Sequence, residues 1–395
     1  MDRSILVLGG GLAGLAAASR LAEKGFSVRL IEARDRLGGR LWSERRFGLR
    51  VDLGAEFLHG APPAVAALFA DVPEDDRDGR GDDFDADLQA FVTLAERAPE
   101  QTVASFAAGL GPEWAGRVEG VLGYIGGFHA ADPARMSLRG LVEVEHAQSV
   151  ATHPVRPIVD GARTVATLAA GLDPACVHLG CPAVTVRWEP GKAEVELADG
   201  RRFSGRAAIV TLPVGVLQRG GVRFDPDVPR VRDVAARIGV GGAVRVSLCF
   251  SEAVWDESFF MLEGPFPVAW ARADAPVVVA WAGGAAAERL RGVPGARLAE
   301  LALEALGDVI APRDVLSARF SGFAHHDWLD DPFSQGAYSY PLAGQLDAAS
   351  SLATPEGNTL FFAGEATCAP ADASTVHGAV LSGWRAADEV IAASG

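Results

Sequence analysis

Residues 4–32 read SILVLGGGLAGLAAASRLAEKGFSVRLIE and contain every part of a phosphate-binding β-turn-α-β unit. Residues 5–8 are an apolar run, as in a parallel strand that is buried on both faces. Gly9, Gly11 and Gly14 follow at the spacing G-x-G-x-x-G. This spacing permits a tight turn at Gly9, the approach of a pyrophosphate at Gly11 and close helix–strand packing at Gly14. The stretch therefore predicts the floor of a dinucleotide site.

The residues after the glycines complete the unit. Residues 12–24 are rich in Ala and Leu, which predicts a helix, and Gly25 is suited to end it. Residues 26–31 predict the second strand, and Glu32 closes it 18 residues beyond Gly14. A carboxylate at this position can accept hydrogen bonds from a ribose, and the helix N-terminus can face the pyrophosphate. A glycine triplet alone is weak evidence, but the whole pattern in register indicates a dinucleotide-binding domain.

A second glycine pair, Gly38 and Gly39, is followed directly by Arg40. An NAD unit needs no such element, whereas a guanidinium fork suits the pyrophosphate of a larger dinucleotide with a buried flavin. The segment therefore favours FAD over NAD.

Four segments, spread over most of the chain, resemble the FAD-dependent amine oxidases, the family of monoamine oxidases, polyamine oxidases and flavin-dependent histone demethylases. They are the opening residues 4–60, TLPVGVL at 211–217, DPFSQGAYSY at 331–340 and FFAGEATCAPADASTVHGAVLSGWRAADEVI at 361–391. The resemblance implies an α/β protein with a discontinuous FAD-binding, Rossmann-like domain of the GR2 type and an interleaved α+β substrate domain. The FAD-binding domain would comprise residues 1–60, 150–224 and 334–395, and the substrate domain residues 61–149 and 225–333.

The resemblance also implies the activity. A neutral amine would give a hydride from its α-carbon to flavin N5, the imine would hydrolyse, and O2 would reoxidise the flavin to release H2O2. The substrate would be a small polyamine-like or monoamine-like molecule. Three alternatives stay open: an L-amino-acid oxidase in which an arginine pairs with the substrate carboxylate, a dehydrogenase or desaturase-like enzyme that does not use O2, and a flavin-binding scaffold without turnover.

The family's motifs assign candidate cofactor contacts to sixteen positions. These are Gly9, Gly11, Gly14, Glu32, Ala33, Arg34, Gly39, Arg40, Gly54, Ala55, Glu56, Val184, Gly364, Glu365, Thr375 and Val376. Val184 would face the adenine, and the helix that begins near Thr375 would direct its N-terminal N–H groups at the flavin pyrimidine.

Four residues carry the implied catalytic site, of which three surround the amine. Tyr338 resembles the tyrosine wall of the family's aromatic cage, Thr375 takes the position of the opposite wall, and Trp328 resembles a tryptophan that packs beside the flavin. A small residue at 375 is closer to polyamine oxidases and histone demethylases than to monoamine oxidases. Ala337 stands where some monoamine oxidases carry a flavin-bound cysteine, so FAD is expected to bind without a covalent link.

Arg245, the fourth residue of this site, departs from the family pattern. The family places a lysine ten residues before a tryptophan, where it holds a water against flavin N5, and the residue ten before Trp255 is arginine. Arginine stays protonated, so it can supply a positive field but cannot accept a proton. Oxygen reactivity and proton handling are therefore expected to depart from the family pattern at this residue.

Composition restricts the partners and the location. The net charge of −15 argues against nucleic acid and anionic membranes as partners. The apolar run at residues 275–287 is too short to span a bilayer, and residues 1–3 leave no room for a signal peptide, so we expect a cytoplasmic protein. The four cysteines have no metal-ligand or disulfide spacing. Oligomeric state cannot be read from the sequence.

Two further patterns have alternative interpretations. The acidic residues 71–87 predict a solvated loop, with an amine-attracting lid or a calcium loop from Glu74 to Asp85 as less favoured readings. His325, His326 and Asp327 suggest a metal or base pair, but adjacent residues of a strand point to opposite faces.

The remaining periodicity predicts helices and strands along the rest of the chain. Helical periodicity covers residues 88–95, 296–306 and 376–393. Strand patterns cover residues 183–188, 193–198, 207–212, 244–250, 268–271, 277–281, 315–320 and 359–363.

Overall fold

A computed structural model of the chain describes residues 4–69, 82–149, 156–158, 160–255, 259–262, 264–272, 274–307 and 309–394. The strands of this part of the chain are β1 (Ser4–Leu8), β2 (Ser27–Ile31), β3 (Ser43–Arg46), β4 (Leu49–Asp52), β5 (Phe57–Leu58), β6 (Arg156–Pro157), β7 (Val177–His178), β8 (Ala183–Glu189), β9 (Lys192–Leu197), β10 (Arg202–Gly205), β11 (Ala207–Val210), β12 (Arg223–Asp225), β13 (Ile238–Gly241), β14 (Ala243–Phe250), β15 (Phe259–Met261), β16 (Val268–Ala271), β17 (Val277–Gly283), β18 (Phe320–Asp327), β19 (Tyr338–Pro341) and β20 (Leu360–Phe362).

The same part of the chain forms α-helices. They are α1 (Leu12–Glu23), α2 (Pro63–Ala66), α3 (Asp82–Ala95), α4 (Val103–Ala108), α5 (Arg117–Gly127), α6 (Leu138–Ser149), α7 (Gly161–Ala169), α8 (Val214–Gln218), α9 (Pro229–Ala235), α10 (Gly284–Leu290), α11 (Gly295–Leu306), α12 (Arg313–Arg319), α13 (Ala348–Ala353) and α14 (Val376–Ala392). No helix among the described residues is both long enough and apolar enough to cross a bilayer.

A parallel sheet in the order β20-β11-β1-β2-β7 carries the dinucleotide motif. Its central strand β1 is buried along its whole length, as its uninterrupted apolar sequence requires. Helix α1 packs against α14, where the Cβ that an alanine at Gly383 would add lies 2.2 Å from the Ala13 carbonyl oxygen. The glycine therefore permits the close helix contact that brings the first and last segments of the chain together, and the predicted Rossmann-like fold is confirmed.

A second, antiparallel sheet in the order β15-β16-β17-β14-β18 lies on the substrate side. Its outer face, with Val244, Val246 and Leu248, packs beneath Leu298 and Ala302 of α11. On the inner face Cys249 packs against the β3-β4 hairpin. Because neighbouring residues of β14 alternate between the two faces, Arg245 is directed to the inner side.

Helices α3 to α6 form a separate helical layer with its own core around Phe91, Trp114, Val121 and Leu141. Its position beside the second sheet fits the predicted division into two domains, whose boundaries stay a prediction. Of the predicted acidic loop, residues 71–81 lie outside the described residues, as do Glu74, Asp76, Asp78 and Gly79 of the calcium alternative. Residues 82–87 belong to α3.

One predicted element is wrong. Residues 315–320 were expected to form a strand, but α12 occupies Arg313–Arg319 and β18 begins only at Phe320. Pro312 precedes the helix and Asp314 lies in its first turn, which are helix-start features that outweigh the apolar pattern.

Candidate active site

The glycines of the G-x-G-x-x-G motif serve two different purposes: some are required by the fold, and one leaves room for a ligand. A Cβ at Gly14 would lie 1.9 Å from the Gly9 carbonyl oxygen, so the fold itself requires glycine there. Gly9 adopts a φ of +104°, which also favours glycine. At Gly11 the nearest atom to an added Cβ is the Cα of Gly39, at 3.8 Å. The protein alone therefore leaves room at Gly11, and this room opens into the main cavity.

Glu32 lies at the end of β2, as predicted, and is 4% exposed. Its Oε2 accepts a hydrogen bond from the Gly10 amide at 2.6 Å, and Oε1 accepts one from the Arg34 amide at 2.8 Å. These bonds hold the carboxylate at the cavity wall. Each oxygen retains a lone pair for a ribose hydroxyl.

One large cavity of about 1180 Å³ joins the two sides of the molecule. All but one of the predicted site residues line it, and Gly14 is the exception, because it serves helix packing. The lining members are Gly9, Gly11, Glu32, Ala33, Arg34, Gly39, Arg40, Gly54, Ala55, Glu56, Val184, Arg245, Trp328, Tyr338, Gly364, Glu365, Thr375 and Val376.

The cavity fits a long dinucleotide by two structural tests. Gly11 and Gly364 both line it, and neither would bring an added Cβ within 3.4 Å of a protein atom. The N-terminal ends of α1 and α14, capped by Gly11 and Thr375, both open into it. Helix N-termini attract anions, so the cavity offers positive potential to a pyrophosphate and to a second electron-rich group.

Arg40 is positioned by a buried carboxylate. Its Nη1 donates to the Ala337 carbonyl oxygen at 2.7 Å and to Glu365 Oε1 at 2.9 Å. Glu365 Oε2 in turn accepts from Ser339 Oγ at 2.6 Å and from the Ser374 amide at 3.1 Å. These contacts use only Nη1, so Nε and Nη2 remain for an anion in the cavity.

Arg34 is held by the DPFS segment. Its Nη2 contacts Asp331 Oδ1 at 2.5 Å and Ser334 Oγ at 3.0 Å, and its guanidinium lies 5.4 Å from the centre of the Phe333 ring. Burial works to raise the pKa of Asp331, but hydrogen bonds from His326 and Arg34 hold it well below its usual range. The ionised Asp331 carboxylate therefore holds the positively charged guanidinium of Arg34 at the cavity wall.

Tyr338 lies in β19, and its hydroxyl donates to the Phe128 carbonyl oxygen at the end of α5. Burial raises the pKa of the phenol well above its usual range, so the hydroxyl stays protonated. Trp328 is 3% exposed and donates from Nε1 to the Leu53 carbonyl oxygen at 3.0 Å. Both rings are thus fixed in orientation.

The Thr375 hydroxyl caps helix α14, so Thr375 does more than form a wall of the proposed amine cage. Its Oγ1 accepts from the Gly378 amide at 2.9 Å and donates to the Asp372 carbonyl oxygen at 2.6 Å. The hydroxyl caps α14, so its methyl group is what a cage wall could use.

Arg245 is 1% exposed and is not an isolated cation. Its Nη2 contacts Glu56 Oε2 at 2.5 Å, and its Nη1 donates to the Gly54 carbonyl oxygen at 3.1 Å. Its guanidinium lies 5.4 Å from the centre of the Trp270 ring. The Glu56 carboxylate, predicted as a cofactor contact, is therefore used as the counter-ion of Arg245.

Several cavity-lining aromatic rings were missed by sequence reasoning. Trp270 and Trp281 lie on neighbouring strands with ring centres 6.0 Å apart, and Tyr124 and Phe128 of the α5 region stack at 5.1 Å. All four line the cavity. Alternation along β16 and β17 assigns each tryptophan to a face, but it does not show which face borders the cavity.

The α5 helix widens the cavity beside these rings. It presents Gly123 and Gly127 to the cavity, and a Cβ at either position would meet no atom within 4 Å. This part of the cavity therefore has aromatic walls, and it is wider on the α5 side because Gly123 and Gly127 place no side chains there.

The histidine pair does not form a shared site. His326 contacts Asp331 through Nε2 at 2.9 Å and packs against Trp328 at 4.2 Å between ring centres. His325 lies beneath Gly295 at the start of α11, where an added Cβ would be 2.1 Å from its ring. The predicted opposite orientation of the two rings is confirmed.

Comparison with known proteins finds relatives that are similar to almost the whole chain. The chain is 28% identical to "Polyamine oxidase 2" of Arabidopsis thaliana, with 98% of this chain and 87% of the relative covered. It is 29% identical to "Polyamine oxidase 4" of Oryza sativa subsp. japonica, with 98% and 88% covered.

Solved structures share the fold at lower identity. A putrescine oxidase bound to putrescine superposes with a TM-score of 0.81 at 19% identity, with 99% of each chain covered. The cyclohexylamine oxidase of Brevibacterium oxydans IH-35A superposes with a TM-score of 0.80 at 20% identity, again with 99% of each covered.

The model of the family described as flavin-containing amine oxidoreductase matches residues 12–92 and 72–391, which together span most of the chain. The chain therefore belongs to the flavin-containing amine oxidoreductase family, with FAD as its cofactor and the oxidation of an amine as its reaction.

Proposed function

We propose that this enzyme oxidises amines that carry no carboxylate group, with polyamine-like or monoamine-like compounds as its substrate class. One observation supports this above all: each arginine that lines the described cavity already has a carboxylate partner. The pairs are Arg34 with Asp331, Arg40 with Glu365, Arg50 with Asp274, Arg245 with Glu56 and Arg272 with Asp52. An L-amino-acid oxidase needs a guanidinium fork for the substrate carboxylate, and each of these guanidinium groups already has a carboxylate counter-charge. The two nitrogens of Arg40 that stay free, Nε and Nη2, are proposed to bind the FAD pyrophosphate.

Two further observations favour amines with cationic or apolar chains. Part of the cavity has aromatic walls, formed by Trp270, Trp281, Tyr124 and Phe128. These rings can contact alkyl groups, and their faces can attract an ammonium group. Relatives named polyamine oxidases resemble the chain over 98% of its length. We therefore place a polyamine-like substrate ahead of a monoamine.

We propose that Tyr338, Trp328, Thr375 and Arg245 border the reacting amine. The sixteen glycine-motif, strand-end and helix-start positions predicted as cofactor contacts are proposed to hold FAD, with Gly14 acting through helix packing and Glu56 through its backbone. The two-domain division at residues 1–60, 150–224 and 334–395 against 61–149 and 225–333 is proposed on the same basis.

The chain's own residues provide orientation and electrostatics. When bound, FAD supplies the acceptor for the hydride that leaves the amine α-carbon. Tyr338 holds the substrate with a ring whose hydroxyl is tied to Phe128. The N-terminus of α14 supplies N–H groups and a positive dipole end where negative charge develops. Arg245 contributes as half of an ion pair, so the field it projects is that of a dipole.

Molecular oxygen is the proposed electron acceptor. The test is peroxide release on adding a panel of amines to the aerobic holoenzyme. We expect peroxide in stoichiometric proportion to the amine consumed. Flavin reduction by an amine without peroxide release, with turnover only when an artificial electron acceptor is added, would assign the chain to the dehydrogenase alternative. No flavin reduction by any amine would favour the non-catalytic scaffold.

Replacing Tyr338 with alanine is expected to slow amine turnover at unchanged FAD occupancy. The ring positions substrate and does not hold the cofactor, and its loss also releases the tether to Phe128. Turnover and bound FAD per chain would be measured together. Unaltered kinetics with every accepted amine would remove Tyr338 from the proposed site.

Acid precipitation is expected to release all of the FAD into the supernatant. Ala337 lies at the cavity wall but has no sulfur for a thioether, and burial raises the pKa of the nearby Cys368 thiol to about 12. Absorbance of the supernatant and of the redissolved pellet gives the two fractions. Yellow colour that stays with the pellet would contradict non-covalent binding.

The remaining properties stay predictions. A net charge of −15 makes nucleic acid an unsuitable partner. A cytoplasmic location is expected.

A further inference from the structure

A network of six charged groups lies at one side of the cavity, and all but Asp52 line its wall. It consists of Arg50, Asp52, Glu56, Arg245, Arg272 and Asp274, and we call it the charge-balanced network. Arg272 is its centre: Nη1 contacts Asp52 and lies 3.4 Å from Glu56 Oε1, while Nε lies 2.9 Å from Asp274 Oδ1. Arg50 contacts Asp274 at 2.9 Å, and Arg245 contacts Glu56 at 2.5 Å.

The network has three guanidinium groups and three carboxylates, so its formal charge is zero. The side chains of Arg245, Arg272, Asp52 and Glu56 are each at most 6% exposed. Buried ions are tolerated only when paired, and removal of one partner leaves an uncompensated charge. Any loss of a carboxylate here would therefore leave a positive charge at the cavity wall.

We propose that Glu56 is a specificity-determining residue that excludes carboxylate-bearing molecules from the cavity by neutralising Arg245 and Arg272. This inference rests on the proposed function, since it explains how a cavity with two buried arginines selects amines over amino acids. A carboxylate ligand can bind Arg245 or Arg272 only by displacing Glu56, which is covalently held beside them.

Glu56 is better suited to this role than the other two carboxylates. It lines the cavity, it contacts both arginines, and its Oε2 also accepts from Trp270 Nε1 at 3.0 Å. Asp52 does not line the cavity and is only 2% exposed. Asp274 lines the cavity but its side chain is 49% exposed, so water screens it.

The test measures benzoate binding to the holoenzyme by isothermal titration calorimetry. Glu56→Gln keeps the shape and an oxygen acceptor for Trp270 but removes the charge. We expect the benzoate Kd to fall by about tenfold or more relative to wild type, because an unpaired buried guanidinium becomes available. The double variant Glu56→Gln with Arg245→Met restores balance at two arginines and two carboxylates, and it is expected to lose this gain.

Glu119→Gln is the matched control, since Glu119 is an exposed carboxylate that lines the same cavity outside the network. We expect its benzoate Kd to stay within about twofold of wild type, as for a screened surface charge. An equal gain in Glu119→Gln, or a gain that persists in the double variant, would overturn the proposal.

Asp274→Asn provides a second route if Glu56→Gln does not fold, because it removes a charge from the network at an exposed position. It is expected to tighten benzoate binding with a smaller gain. No gain in a folded Glu56→Gln variant would also overturn the proposal, and where that variant does not fold, no gain in Asp274→Asn would do so. Failure of the proposed function would be seen separately, as a wild-type enzyme that consumes no amine.

Discussion

Replacing Gly11 with valine is expected to abolish FAD binding while the protein still folds. An added Cβ at Gly11 has no protein atom closer than 3.8 Å, and its φ of −75° suits any residue. The side chain would therefore project into the cavity at the turn where the pyrophosphate must approach the backbone. Bound FAD per purified chain would be read from visible absorbance, and folding from far-ultraviolet circular dichroism.

Gly14 supplies the matched control within the same motif. A Cβ there would lie 1.9 Å from the Gly9 carbonyl oxygen, so Gly14→Val must displace α1 from β1. We expect its apoprotein to lose stability in or above the range of about 1–3 kcal/mol typical of overpacked sites. Full FAD occupancy in Gly11→Val would mean that the cofactor does not approach this turn.

Arg245→Met is expected to destabilise the protein by about 3–5 kcal/mol, the range for removing one partner of a buried ion pair. The substitution leaves Glu56 without its 2.5 Å contact and removes the donor to the Gly54 carbonyl oxygen. Urea denaturation of the apoproteins measures the loss. Arg245→Lys should recover only part of it, because an ammonium lacks the planar fork.

A double variant separates charge from packing. Adding Glu56→Gln to Arg245→Met removes the excess negative charge that the first substitution leaves in the network, so it should recover much of the lost stability. Additive losses in the double variant would show that Arg245 and Glu56 do not stabilise each other.

The dinucleotide unit could be predicted because its information is local. Strand β1, the glycine turn, α1 and β2 are consecutive, and each residue type has its own mechanical reason. The same holds for α14, whose start at Thr375 follows from side-chain capping. Predicted site residues converge on one cavity because they belong to motifs that adjoin in this fold.

The charge of the cavity could not be predicted in this way. The counter-ion of Arg245 is Glu56, 189 positions away, and the two meet only because β14 faces the segment after the β3-β4 hairpin. Sequence reasoning therefore treated Arg245 as a free cation. Its effect on oxygen reactivity stays a prediction, and its paired state lowers the field expected from it.

The aromatic walls were missed for the same physical reason. Trp281 donates to the Gly127 carbonyl oxygen at 3.0 Å, and Tyr338 donates to that of Phe128. These contacts join three elements that are distant in sequence, and nothing in a single strand or helix indicates them. The wrong strand prediction at residues 315–320 has another cause. The helix-start residues Pro312 and Asp314 are visible in the sequence, but the prediction followed the apolar pattern.

The central claim is that the cavity oxidises amines and rejects their carboxylated counterparts. The most direct test mixes the anaerobic holoenzyme with pairs that differ only by a carboxylate: putrescine and ornithine, cadaverine and lysine, and phenethylamine and phenylalanine. Loss of the visible flavin absorbance reports reaction in each case. We predict that at least one amine bleaches the absorbance while its amino acid, at the same concentration, does so far more slowly. Bleaching by an amino acid at a rate equal to or above that of its amine would contradict the account.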